Sequence, residues 1–143
     1  MKLDHINIVV RDIEAAKGFF RHFGYTVADE ADLQGEWISR VVGLDRVEAH
    51  YAQLVADDSP VRIELIRYHR PAPPEEGVGE SANRIGYRHI AFSVTDIEAE
   101  VDRLSSLGIV FLSGIHTYPK TGKRIVYGRG PEGILFELAQ YDG

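Results

Sequence analysis

The sequence predicts an α+β protein made of two tandem β-α-β-β-β modules. Three observations carry that prediction. The chain repeats itself: residues 4–15 and 88–99 share His5/His89, Ile6/Ile90, Val10/Val94, Asp12/Asp96, Ile13/Ile97, Glu14/Glu98 and Ala15/Ala99, all at the offset 89 − 5 = 84. Internal repeats outrank other fold arguments, because each copy is one structural unit. Each copy then passes from a period of two to a helical period. Each also switches at an aspartate, a good helix N-cap.

Residues 3–10 alternate, with Ile6, Ile8 and Val10 on one face and His5, Asn7 and Val9 on the other, which predicts a strand. Asp12 caps a helix whose apolar positions are Ile13, Ala16, Phe20 and Phe23, and Gly24 stops it. Residues 25–32 read as a second strand, and 33–46 as a loop with helical character. Residues 47–56 and 61–68 read as strands joined by the turn residues Asp57-Asp58-Ser59-Pro60. Residues 69–86, with three prolines and three glycines, read as a linker between module one (1–68) and module two (87–143). Module two opens with a strand at 87–94. Asp96 caps a helix carrying Ile97, Val101, Leu104 and Leu107. A strand at 109–113 follows, then a hairpin of 123–128 and 133–141 turning through Arg129-Gly130-Pro131-Glu132-Gly133. Each apolar sheet face is expected to cover the helix of its own copy.

The 143 residues suit one compact domain with a real core. The net charge of −6 gives no reason to expect nucleic acid or anionic membrane as a partner. The absence of cysteine excludes disulfide scaffolds and thiolate zinc sites. No apolar run reaches signal-peptide or membrane-helix length, so a cytoplasmic protein is expected.

Four residues stand out by position. His5 and His89 lie mid-strand on the face away from the helix, and Glu64 and Glu137 lie the same way in the last strand of each copy. A carboxylate in so apolar a strand is costly unless paired or bound to a cation. Two imidazoles and two carboxylates suit one divalent ion such as Ni, Zn, Co, Mn or Fe(II). A lone strand histidine is more often a hydrogen-bonded core residue; the recurrence in register shifts the weight to a metal site.

The paired His-Ile…Val…Asp-Ile-Glu-Ala openings, with Gly130-Pro131-Glu132-Gly133-Ile134-Leu135-Phe136-Glu137, resemble the vicinal oxygen chelate superfamily over essentially the whole chain. That superfamily includes glyoxalase I, methylmalonyl-CoA epimerase, extradiol dioxygenases, and bleomycin and fosfomycin resistance proteins. The resemblance implies a glyoxalase-like domain in which the βαβββ modules form a curved mixed sheet around a cleft. It also implies His5, Glu64, His89 and Glu137 as metal ligands. The His/Glu/His/Glu set is similar to that of bacterial glyoxalase I, whereas epimerases commonly carry Gln at the position matching Glu64 and dioxygenases use only His, His and Glu. The implied activity is therefore a lyase or isomerase that stabilises an enediolate of a small vicinal-oxygen substrate. Glu137 or Glu64 would be the proton carrier and Glu48 a third candidate. Trp37, Tyr51, Tyr68, His116, Tyr118 and Tyr127 are further cleft candidates, with Arg40, Arg62 and Arg124 for an anionic substrate. The alternatives are a metal-free binder of the bleomycin-resistance kind and an Fe(II) extradiol dioxygenase. Exposed sheet edges and the habits of the family lead us to expect a homodimer. The first copy is longer, 64 − 5 = 59 positions from His to Glu against 137 − 89 = 48, and its extra segment at 33–46 is the expected seat of selectivity.

Overall fold

The structure, a computed structural model, describes residues 3–74, 82–83 and 87–141. The fold is mixed α+β, with one sheet in each of two compact units, residues 1–76 and 77–143. Most of the predicted linker, at 75–81 and 84–86, lies outside the described residues.

In unit 1 the order is β1 (His5–Val9), α1 (Ile13–Arg21), β2 (Thr26–Gln34), α2 (Glu36–Val42), β3 (Glu48–Ala56) and β4 (Ser59–Arg70). The sheet runs β1-β4-β3-β2, with β1 parallel to β4 and the other pairs antiparallel. α1 carries the chain from one sheet edge to the other, because a parallel neighbour cannot be reached by a tight hairpin. Unit 2 holds β5 (His89–Ser93), α3 (Ile97–Ser106), β6 (Val110–Phe111), β7 (His116–Thr117), β8 (Arg124–Arg129) and β9 (Leu135–Gln140). Its sheet runs β5-β9-β8-β6, with the short β7 also on β8.

The repeat is visible at the caps. Asp12 accepts a hydrogen bond from the Ala15 N–H, and Asp96 accepts one from the Ala99 N–H, both at 3.0 Å. Gly24 (φ 83°) and Gly108 (φ 85°) take the left-handed conformation just past each helix, where a side chain would be strained. Each helix packs on the apolar face of its own sheet. Ala16 and Phe20 are buried with Ala52, Leu54, Ile63 and Leu65; Ile97 and Leu104 are buried with Val126, Phe136 and Leu138. Gly128 admits no side chain, because a Cβ there would come 2.3 Å from the Phe136 ring. That glycine lets β8 and the Phe136 ring share the space.

The first unit departs from the simple plan at 36–42. This segment is a helix rather than a loop, bounded by Gly35 (φ 101°) and Gly43 (φ 71°). Seven residues give too few turns for a helical period to show in the sequence. Tertiary packing stabilises it instead: Ile38 is buried with Val47, Ala49 and Ile66, and Leu33, Val42, Tyr51 and Tyr68 pack around them. Ala49 and Tyr51 stand opposite Tyr68 and Ile66, on the strand face that also carries Glu64. α2 therefore covers the face opposite α1. In unit 2 the hairpin turn forms where predicted, as a 3-10 turn at Pro131–Gly133 with Glu132 at φ 53° and Gly133 at φ 76°.

Candidate functional site

Each unit brings its predicted histidine and glutamate together on the face away from its long helix. In unit 1 the parallel register sets Asn7 beside Glu64 and His5 beside Arg62. Asn7 Nδ2 donates to Glu64 Oε1 at 2.9 Å, and His5 Nε2 lies 4.0 Å from the same oxygen. The other ring nitrogen, Nδ1, is 2.8 Å from Asp4 Oδ2, and Asp4 also pairs with the Arg62 guanidinium. The contacts to His5 and then Arg62 hold the Asp4 carboxyl below its ordinary range. An imidazole fixed through one nitrogen by a carboxylate presents the other in a set direction, as metal-ligating histidines commonly do. Tyr51 shares this face; its hydroxyl donates to Asp29, which pushes its pKa up, with burial and the Glu64 charge adding to the effect.

In unit 2, Glu137 stands between Ala91 of β5 and Tyr127 of β8. Its Oε2 is 3.3 Å from His89 Nε2, and Lys123 Nζ is 2.7 Å from its Oε1. Oε1 is buried and faces this ammonium. The Glu137 side chain is only 6% exposed, against 26% for Glu64. Tyr127 packs 5.0 Å from the His89 ring, and burial, then the Glu137 charge, pushes its hydroxyl pKa up. The Glu137 carboxylate pushes Lys123 up likewise.

These groups fit a divalent cation in donor chemistry: each pair offers an imidazole nitrogen and a carboxylate oxygen, and the Glu137 carboxylate is buried. Among the described residues no group of three or more His, Asp or Glu side chains gathers closely enough to hold a metal ion. Within each unit the structure brings together one His/Glu pair.

Glu48 stands elsewhere. It pairs with Arg70 at 3.2 Å, six residues along β4 from Glu64, about 20 Å at the rise of a strand. A register shift between Glu48 and Ala49 separates it from the alternation of β3. His50 turns to Asp32, 2.7 Å away, and towards Glu30, which ion-pairs with Lys17 of α1. Glu48 and Arg40 line an open depression of about 930 Å³ with Arg46, Val47 and Arg70 at the end of α2. Arg124 faces α3, held through both guanidinium nitrogens by Glu98. Arg62 is committed to Asp4 and Gln53. Trp37 and Tyr118 are largely exposed, and His116 lies in the exposed β7.

Sequence reasoning missed Asp4, Asn7 and Lys123. The first two were within reach, as the neighbour of His5 and the next residue on its strand face. Lys123 needed the register of β8 on β9, which no local pattern states.

Residues 2–138 match the model of the Glyoxalase/Bleomycin resistance protein/Dioxygenase superfamily. The protein YaeR of Escherichia coli (strain K12) is 30% identical over 137 residues, covering 96% of this chain and 94% of its own. The crystal structure of a glyoxalase family protein from Bacillus cereus is 34% identical, with a TM-score of 0.90 over 100% of this chain and 95% of that one. The fosfomycin resistance protein FosX of Listeria monocytogenes, solved with Mn(II) and sulfate, shares the fold at a TM-score of 0.60 and 19% identity, over 99% of this chain and 93% of its own. No helix among the described residues is long and apolar enough to cross a membrane. With the repeated modules, their two His/Glu pairs and a family match spanning nearly every residue, the chain belongs to the glyoxalase, bleomycin resistance protein and dioxygenase superfamily.

Proposed function

We propose that the protein is a divalent-metal-dependent lyase or isomerase whose metal ligands are His5, Glu64, His89 and Glu137. The observation that carries this reading is the repeated pair: a histidine and a glutamate on neighbouring strands, on the same sheet face, in both units. FosX, with the same fold, was solved with Mn(II). When bound, the metal would supply Lewis-acid stabilisation of the negative charge that develops as a proton leaves the carbon beside a carbonyl. Glu64 is the better proton carrier of the two carboxylates. It is the more exposed, and its neighbour Asn7 is a neutral donor, whereas Glu137 is buried and ion-paired to Lys123. Asp4 and Arg62 fix the His5 ring. Tyr127 packs beside His89 and limits water at that pair.

The test is metal content. Protein purified without chelator should carry, or take up on addition, one equivalent of Ni, Zn, Co, Mn or Fe(II). It should then exchange the proton alpha to the carbonyl of a hydroxyketone with solvent deuterium. Failure to take up any of the five ions would sink the enzyme reading. A metal-free ligand-binding protein is the second reading, favoured by one observation: Lys123 already supplies Glu137 with a positive charge from within the chain.

A further inference from the structure

We propose that Lys123 is a built-in competitor for metal at Glu137, a cation of the chain itself that holds one carboxylate oxygen and weakens the grip of the His89–Glu137 pair on a divalent ion. The inference rests on the metal-site reading above and adds a residue that tunes it.

Glu137 is buried between Leu135 and Ala139, and a buried carboxylate needs a countercharge. Lys123 provides it. From the position before β8 its Nζ reaches Oε1 at 2.7 Å, lying 5.3 Å over the Tyr141 ring centroid. The side chain is 24% exposed, so the ammonium has a way back to water. The remaining oxygen, Oε2, faces His89 Nε2 at 3.3 Å and is the one left for a metal.

Unit 1 shows that the lysine is not required by the architecture. Gln53 stands opposite Glu64 as Tyr127 stands opposite Glu137. Four residues back along each strand come Ala49 and Lys123. Ala49 is buried beneath Ile38, and Glu64 has the neutral Asn7 as its neighbour. Among the described residues, Glu137 is paired with a lysine and Glu64 is not. Two cations on one poorly solvated carboxylate repel each other strongly. A metal must therefore either displace Lys123 or bind against its charge. Removing the charge should favour the metal in two ways: the repulsion disappears, and the apo state is left with a buried carboxylate lacking its partner.

The experiment is calorimetric titration of the full-length chain with Mn(II) and with Zn(II), alongside thermal unfolding with and without each metal. The proteins are the native chain, Lys123→Met, Lys123→Arg and Glu137→Gln. Lys123→Met should bind at least tenfold more tightly than the native chain, melt at a lower temperature without metal, and gain more from it. Lys123→Arg should stay near native. Should Lys123→Met fail to fold, Lys123→Gln, which keeps a donor for Oε1 without the charge, carries the same expectation. Tight uptake by Lys123→Met where the native chain and Lys123→Arg bind only weakly would be the strongest support. Equal or weaker binding by the neutral variants, with Glu137→Gln still abolishing it, would overturn the competitor and leave the metal site standing. Metal binding that survives Glu137→Gln unchanged, or fails in every protein, would remove both.

Discussion

The faces that carry His5 and His89 start from the same plan and end differently. Both set a histidine on the first strand beside a glutamate on the last, opposite the packed helix. In unit 1 the far end of that face is closed by α2, whose Ile38 sits on Val47, Ala49 and Ile66. Its Glu64 is left partly exposed, with an amide neighbour. In unit 2 no counterpart of α2 occurs among the described residues, the register position of Ala49 holds Lys123, and Glu137 is buried against it. A similar contrast lies under the helices. Lys17 of α1, buried and ion-paired to Glu14 and Glu30, takes the place that Val101 holds in α3. Repetition therefore preserved the His/Glu pairs and their strand register, while the surroundings that set charge and exposure diverged.

Four experiments would break or sharpen that contrast. The largest expected effect is structural: Ile38→Ala should cost about 2–5 kcal/mol in chemical denaturation, the range for truncating a buried isoleucine. A loss well below this would mean α2 does not hold the covered face. Next, Glu137→Gln should lower metal affinity by more than about a hundredfold, and Asp4→Asn by about 10–100-fold, the range for an outer-shell partner of a ligating histidine. Equal losses would argue against Asp4 orienting His5. Lys17→Val, which copies unit 2 into unit 1, should change stability by less than about 1 kcal/mol, because its partners Glu14 and Glu30 can return to solvent. A large loss would make the buried lysine a required anchor. The smallest effect concerns the anchor of α3. Arg124 holds the Glu98 carboxyl below its ordinary value of 4.5. A depressed folded-state pKa adds stability above the ordinary value, and that stability disappears as pH falls through the lowered one. The small advantage of the native chain over Glu98→Gln, read from melting temperatures between neutral pH and pH 3, should shrink only at the acidic end.

Much of the fold was legible because its signals are local. Asp12 and Asp96 cap the helices they announce, and Gly24 and Gly108 stop them. Strand alternation alone put His5, Glu64, His89 and Glu137 on the faces opposite the helices. α2 was hidden by its length, since seven residues between glycines carry no period of their own. The face of Glu48 was not legible, because a register shift beside it breaks the alternation of β3.

By itself, then, the sequence determined the repeat, the caps, the α+β class and which face of each sheet carries the His/Glu pair. All of these follow from side-chain periodicity and backbone preference within a few residues. Tertiary structure alone decided that Arg62 reaches Asp4, that Asn7 meets Glu64 and that Lys123 meets Glu137. Those contacts join residues of different strands, or of a strand and the loop before another. Charge and burial at a site are set by what packs across it, and strand pairing, not local pattern, chooses those neighbours.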